Sequence, residues 1–284
     1  MQFYILFSNH CNMSIEVKYH EPPADLSWLV KQFESIDFAG DCVIHDKFIP
    51  REDISLVFHF GIPPLMLLPV RKLLPPFFIA PVISRANQMR LDQPNRTFII
   101  TCKPTVFSRI FGITLTTGEY LYVSLPEQPF SRLWEQLMGT STDEECIQHF
   151  SRFLKSFHQH KYVPDIIDQV YDQIIHTGSF TSLHDILGPF NVSERTIQRK
   201  FRLRVGVSPK KLIRIKRINT LWTKIKEGQS IDYQDLVYLG NYFDQAHFIK
   251  DFKAITGETP DKFFHRDLQL VKILSGKSGF FQPE

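Results

Sequence analysis

Disulfide chemistry has little to work with in this chain. Its 284 residues hold four cysteines. Cys11, Cys42, Cys102 and Cys146 lie far apart and never as C-x-x-C, so neither a disulfide framework nor a cysteine-based metal site is expected, and free buried thiols are. No apolar run approaches the ~20 residues that span a bilayer. Residues 1–7 are apolar, but they lack a basic flank and a small-residue cleavage site, which argues against a signal peptide. The chain therefore reads as cytoplasmic, with no membrane partner. Missing too are G-x-G-x-x-G, G-x-x-x-x-G-K-[ST] and G-x-S-x-G, the signatures of dinucleotide, nucleotide and acyl-transfer sites. In the N-terminal half His10, His20, His45 and His59 stand singly, with no H-x-H or H-x-x-x-H to seat a metal. No metal, cofactor or catalytic residue is expected, and no enzyme activity.

Acidic residues are scarce in one place. Ten lysines and arginines stand between Ser193 and Arg217 against one acid, Glu194. From residue 178 to the end the count is 18 bases against 11 acids, while the net charge of the whole chain is only +3. The remainder is therefore acidic overall. A positive field confined to one segment favours a polyanion there, held by contacts that weaken with salt.

That segment is repeated. Residues 193–212, SERTIQRKFRLRVGVSPKKL, return in altered form at 244–263, DQAHFIKDFKAITGETPDKF. A constant offset pairs Ser193 with Asp244, Ile197 with Phe248, Phe201 with Phe252, Gly206 with Gly257 and Pro209 with Pro260. Each copy predicts a helix. Ser193 and Asp244 suit the N-cap, the apolar pairs four apart share one face, and each glycine suits a left-handed stop. Ser208-Pro209 and Thr259-Pro260 then restart a helix. A shorter apolar segment precedes each copy, at 182–187 and 233–239, which completes a helix-turn-helix layout. Away from Ile197 and Phe201 the first recognition helix carries Glu194, Arg195, Gln198, Arg199 and Arg202. The second carries Gln245, Ala246, His247, Ile249 and Lys250. Such side chains reach base edges and phosphates in a major groove.

S-x-R-x-I-x-R-x-F, followed by G-x-S-P and by Arg217-Ile218, resembles the first half of the AraC-type transcriptional regulator domain. N-Y-F-D-Q-A-H-F-I-K-D-F-K, followed by G-x-T-P, resembles its second half. The resemblance covers about residues 178–266. It implies two helix-turn-helix units, joined by a long helix, reading successive major-groove turns of duplex DNA. The chain departs from the family where a small alanine is usual, with Leu187 and Val237, and where a glycine is usual, with Asn241. Asparagine tolerates the left-handed conformation better than most residues, so the turn at Asn241 is expected to survive. Phe264, with Arg266 nearby, stands in for a closing arginine.

The joining helix is expected from Pro209 to about Glu227, with Gly228 after it and Leu212, Ile215, Ile218, Leu221, Trp222 and Ile225 on its apolar face. Nineteen residues give roughly 28 Å, close to the ~34 Å repeat of B-DNA. Arg214, Lys216, Arg217 and Lys224 lie along it as candidate phosphate contacts, Arg217 having a buried ion pair as its other reading.

Upstream, from about residue 15 to 125, β-branched and aromatic runs alternate with Gly and Pro breakers. Ser55–Phe60, Phe77–Ala80, Thr97–Cys102 and Tyr120–Leu125 are expected strands. An early helix after Pro22-Pro23 would place Leu26, Leu29, Val30 and Phe33 on one face. Two connector helices are expected, from about Asp143 to Gln159 and after Pro164. The fold class is thus α+β. A β-rich barrel or sandwich covers 13–130, a helical connector 131–177, an all-α domain with two helix-turn-helix units 178–268, and a tail 269–284.

The function this points to is a sequence-specific DNA-binding transcription regulator. Its N-terminal domain senses a small-molecule effector, makes a homodimer, or both, and RNA polymerase is a further partner if the protein activates. A DNA-modifying or repair enzyme delivered by the same module, and a structural adaptor that has lost DNA affinity, are the alternatives.

Overall fold

The computed structural model describes residues 2–6, 13–40, 43–116, 122–157, 161–176, 182–224 and 233–264. Ten strands form its N-terminal part. They are β1 (Gln2–Leu6), β2 (Met13–His20), β3 (Val30–Gly40), β4 (Ile44–Phe48), β5 (Ile54–His59), β6 (Leu65–Leu68), β7 (Lys72–Leu73), β8 (Phe77–Ala80), β9 (Asn87–Leu91) and β10 (Asn95–Cys102). Six form one antiparallel sheet in the order β1-β2-β3-β10-β5-β8, and four form a second in the order β4-β9-β6-β7.

Side chains alternate across the large sheet, so its central strands are covered on both faces. On β5 and β10, Leu56, Phe58, Phe98 and Ile100 face the helices. Val57, His59, Thr97 and Ile99 face the small sheet across a chamber of about 100 Å³. The β-rich part is therefore a two-sheet sandwich, and its outer large-sheet face carries the helical half. Its strands begin at Gln2, ahead of the expected start at residue 13.

Ten helices lie among the other described residues: α1 (Pro104–Phe111), α2 (Glu127–Met138), α3 (Asp143–Phe157), α4 (Ile166–His176), α5 (Leu183–Leu187), α6 (Glu194–Val205), α7 (Pro209–Lys224), α8 (Tyr233–Leu239), α9 (Gln245–Thr256) and α10 (Pro260–Phe264). The connector helices α3 and α4 lie where their apolar stripes place them, and α3 is pinned to the large sheet through Asp143. That carboxylate accepts from Ser35 at 2.6 Å and from Arg96 at 2.9 Å, and lies 2.9 Å from His20 Nε2.

Two local readings change. Residues 24–29 form a turn, with the Leu29 and Val30 N–H groups both donating to the Leu26 carbonyl, and β3 starts at Val30. Leu26, Leu29, Val30 and Phe33 are all buried as expected, but a turn and a strand bury them instead of a helix. At 120–125 the described residues 122–125 make an isolated bridge, Val123 to Ile79, and Tyr120 and Leu121 lie outside the described residues.

A single apolar cluster runs from the large sheet through α1–α4 into both helix-turn-helix units. Cys102 and Cys146 are free thiols within it. Burial raises the thiol pKa of both.

Candidate nucleic-acid interface

Both recognition helices are built as the repeat dictates. Ser193 and Asp244 are the N-caps, accepting from the N–H groups of Thr196 at 3.4 Å and His247 at 2.7 Å. Ile197 and Phe201 on α6, and Phe248 and Phe252 on α9, are fully buried. Gly206 and Gly257 end the helices with φ of 95° and 85°. Ahead of α6, α5 opens with a reciprocal cap between Ser182 and Asp185. Ahead of α9, Asn241 takes the left-handed conformation with φ 48°, supplying the backbone a glycine would.

The faces opposite the buried stripes are open. Glu194, Arg195, Arg199 and Arg202 are exposed on α6, and Gln245, Ala246, His247 and Lys250 on α9. Gln198 is half-buried and donates to Glu194 at 2.8 Å. Ile249 is half-buried too, packed against the apolar cluster.

Between the units lies a cleft of about 880 Å³ that brings Glu194 and Gln198 together with His247 and Lys250 across α7. Arg195, Arg199, Arg202, Gln245 and Ala246 lie outside its lining. Lys210 lines it as well. The pattern of the repeat does not single that lysine out, although it belongs to the basic run.

The described part of helix α7 has 16 residues and a length of about 24 Å. Ile225, Glu227 and Gly228 lie outside the described residues. Three of its cations are engaged inside the molecule. Arg214 clamps the Asp251 carboxylate of α9 with Nε and Nη2. Lys216 stands 3.9 Å from Glu52, and the Arg217 guanidinium lies 5.1 Å from the centre of the Tyr242 ring. The side chain of Lys224 is not among those described.

The C-terminal ends of both recognition helices dock on the sandwich half. Arg204 gives Nε and Nη2 to the Thr105 carbonyl and binds Asp165 and Asp168. Leu115 N–H donates to the Leu203 carbonyl at 2.9 Å. On α9, Ala86 N–H donates to Ile255 at 2.8 Å, and Lys47 reaches the Thr256 carbonyl at 3.2 Å and the Glu258 carboxylate. A cation at the helix C-terminus complements the helix dipole. The C-terminal ends are thus held inward while the N-terminal ends stay exposed.

Two capped, exposed helices joined by a third define a bipartite helix-turn-helix DNA-binding module. Residues 189–266 match the family model described as a helix-turn-helix domain, and this segment is a helix-turn-helix domain of the AraC type. Among solved structures, ToxT from Vibrio cholerae is similar over 89% of this chain and 97% of that chain, at 13% identity and a TM-score of 0.42. ToxT from Vibrio cholerae O395 bound to (E)-4-(8-methylnaphthalen-1-yl)but-3-enoic acid matches at 14% identity over 89% of this chain and 98% of that one, with a TM-score of 0.42. Unsaturated fatty acid bound ToxT from strain SCE256 matches at 13% identity over 92% of this chain and 97% of that one, with a TM-score of 0.41. No curated protein matches the chain. No helix among the described residues is long and apolar enough to cross a membrane.

Proposed function

We propose that this protein is a sequence-specific transcription regulator that reads duplex DNA with α6 and α9, and that the chamber between its sheets is an effector site. The observation that carries the DNA reading is the pair of capped helices with exposed polar and basic N-terminal faces on either side of α7. Arg195, Arg199 and Arg202 supply guanidinium forks suited to guanine edges and phosphates, and Gln245, His247 and Lys250 serve the second half-site. Gln198 is a reader whose amide is held by Glu194. Ile249 contributes through packing, its side chain lying partly against the core. The effector reading rests on the chamber's apolar lining, among it Val57, Met66, Phe78 and Ile99.

Selecting bound duplexes from a random pool tests the DNA reading and supplies the operator. On that operator Arg199→Ala should cost about 1–3 kcal/mol and relax preference at one position. His247→Ala should alter the other half of the site, about one helical turn away. Equal weakening on all sequences would show that these faces touch backbone only. A reporter fused to the operator decides between activation, with RNA polymerase as a partner, and repression.

A further inference from the structure

The chamber between the sheets is lined almost wholly by hydrocarbon and aromatic groups, and it also carries two side chains with an unmatched polar atom. His59 on β5 and Asn87 on β9 both line it. They are 4% and 7% exposed, and neither His59 Nε2 nor Asn87 Oδ1 has a hydrogen-bond partner. Native proteins leave few buried polar atoms in that state, since each costs about 1–3 kcal/mol.

Both atoms are open to a ligand. Asn95 Nδ2 lies 3.1 Å and the Thr97 hydroxyl 2.9 Å from His59 Nδ1. Nδ1 is therefore matched within the protein, and Nε2 is the open nitrogen, a donor or an acceptor according to the tautomer of the neutral ring. Burial keeps the ring neutral by pushing its pKa down to about 4. Nε2 thus has room for a hydrogen-bond partner of either kind, and Asn87 Oδ1 is an acceptor without a donor. A hydroxyl can meet either need, whereas a carboxylate can only accept. No lysine or arginine is among the described residues lining the chamber. Lys72 rests over the Tyr122 ring, 5.6 Å from its centre, without lining it. Lys47, next to the lining residue Phe48, is committed to Glu258. A carboxylate entering here would lose its hydration and meet no cation.

We infer that the chamber selects an uncharged, largely hydrocarbon ligand bearing a hydroxyl, a phenol or short-chain alcohol, and rejects carboxylates of the same size. The inference rests on the reading of the chamber as an effector site. Its volume of about 100 Å³, against the about 150 Å³ of an engineered apolar cavity that takes benzene, limits the enclosed part of the ligand to a short chain or at most a single ring.

Calorimetry on the full chain at neutral pH tests this with two matched pairs, p-cresol against p-toluate and butanol against butyrate. The alcohols should bind about tenfold or more tightly than the carboxylates. Asn87→Leu should lower the preference for p-cresol over toluene while toluene still binds, which shows the variant folded. Ala80→Phe, which fills the chamber, should abolish binding of both. Equal or tighter binding of the carboxylates overturns the selectivity and leaves the chamber a ligand site. Binding that survives Ala80→Phe, or no binding by any of the compounds, overturns the selectivity and the effector reading together. DNA binding is scored separately on the selected operator.

Discussion

Gly206 and Gly257 end the two recognition helices with the same left-handed backbone but meet different surroundings. A Cβ on Gly206 would sit 2.7 Å from the Leu115 carbonyl oxygen, whereas one on Gly257 would meet the flexible end of Arg85 at 3.7 Å. Gly112 also has positive φ, with nothing within 4 Å of its would-be Cβ. Gly112→Ala should therefore cost the backbone penalty alone, about 1–2 kcal/mol. Gly206→Ala should cost more, because backbone at the junction must also move. Urea unfolding of the two variants checks the order, and equal losses would show that the junction yields freely. A second residue-scale effect is a pH dependence. The His59 pKa is about 4 in the folded chain against its ordinary 6.5, so the unfolded state binds the proton more readily. The stability this withholds is fully present above pH 6.5 and is lost as pH falls towards 4, by roughly 3 kcal/mol at most. His59→Gln should flatten the stability profile in that window; an unchanged slope would place the acid sensitivity elsewhere. At this scale the caps, the helix-ending glycines and the turn at Asn241 were legible, because each is decided by its own side chain or backbone preference. Arg204 was not. In the sequence it is one of ten bases suited to a polyanion, yet it binds Thr105, Asp165 and Asp168. Partners so distant in sequence leave no local mark.

Helix α7 carries the relation between the two units by more than its length. Leu212, Ile215, Ile218, Leu221 and Trp222 are buried along it, and the Trp222 ring stacks on Phe264 of α10 at 5.5 Å. Arg214 ties it to α9. Asn219 donates to the Pro50 carbonyl and to Glu52 at 3.1 Å each, which fixes it to the sandwich as well. A ruler free in solution needs only length and stiffness, but this helix also needs its rotation. Two residues inserted after Thr220 turn the C-terminal part of the helix by roughly 200°. Leu221 and Trp222 would leave the core, α8–α10 would lose their seat, and protection of the operator should shrink to one half-site. Thermal stability should fall with it. A footprint of full length and strength would show that the units position themselves independently. Helical periodicity made α3, α4, α6, α7 and α9 legible, since each presents one apolar stripe. The same spacing misled at residues 26–33. There a single hydrogen-bonded turn feeds directly into β3, and four apolar residues are buried without a helix.

At the scale of the whole molecule the helix-turn-helix half does not stand apart from the rest. Val205, Val207, Leu212 and Ile215 share one apolar cluster with Val106, Phe107 and Leu115 of the N-terminal half and with Val170 and Ile174 of α4. Charge asymmetry and a repeat mark the two halves in the sequence but not the core they share, because composition records what each segment is made of, not what covers it. A fragment of residues 178–284 keeps the exposed arginines of α6, both N-caps and the clamp between Arg214 and Asp251. It loses the partners of Arg204 and the cover over Val205 and Val207. Phosphate contacts made by the fragment and by the full chain should be the same, so both should lose affinity for duplex DNA about tenfold or more between low and physiological salt, with equal slopes. Stability should separate them, the fragment melting at the lower temperature because apolar surface around α6 and α7 is returned to water. Salt titrations by fluorescence anisotropy and thermal melts of the two proteins measure these quantities independently. Salt-independent binding would remove the phosphate contacts from the account. Equal melting temperatures would mean that the shared core adds nothing to the stability of the DNA-binding half.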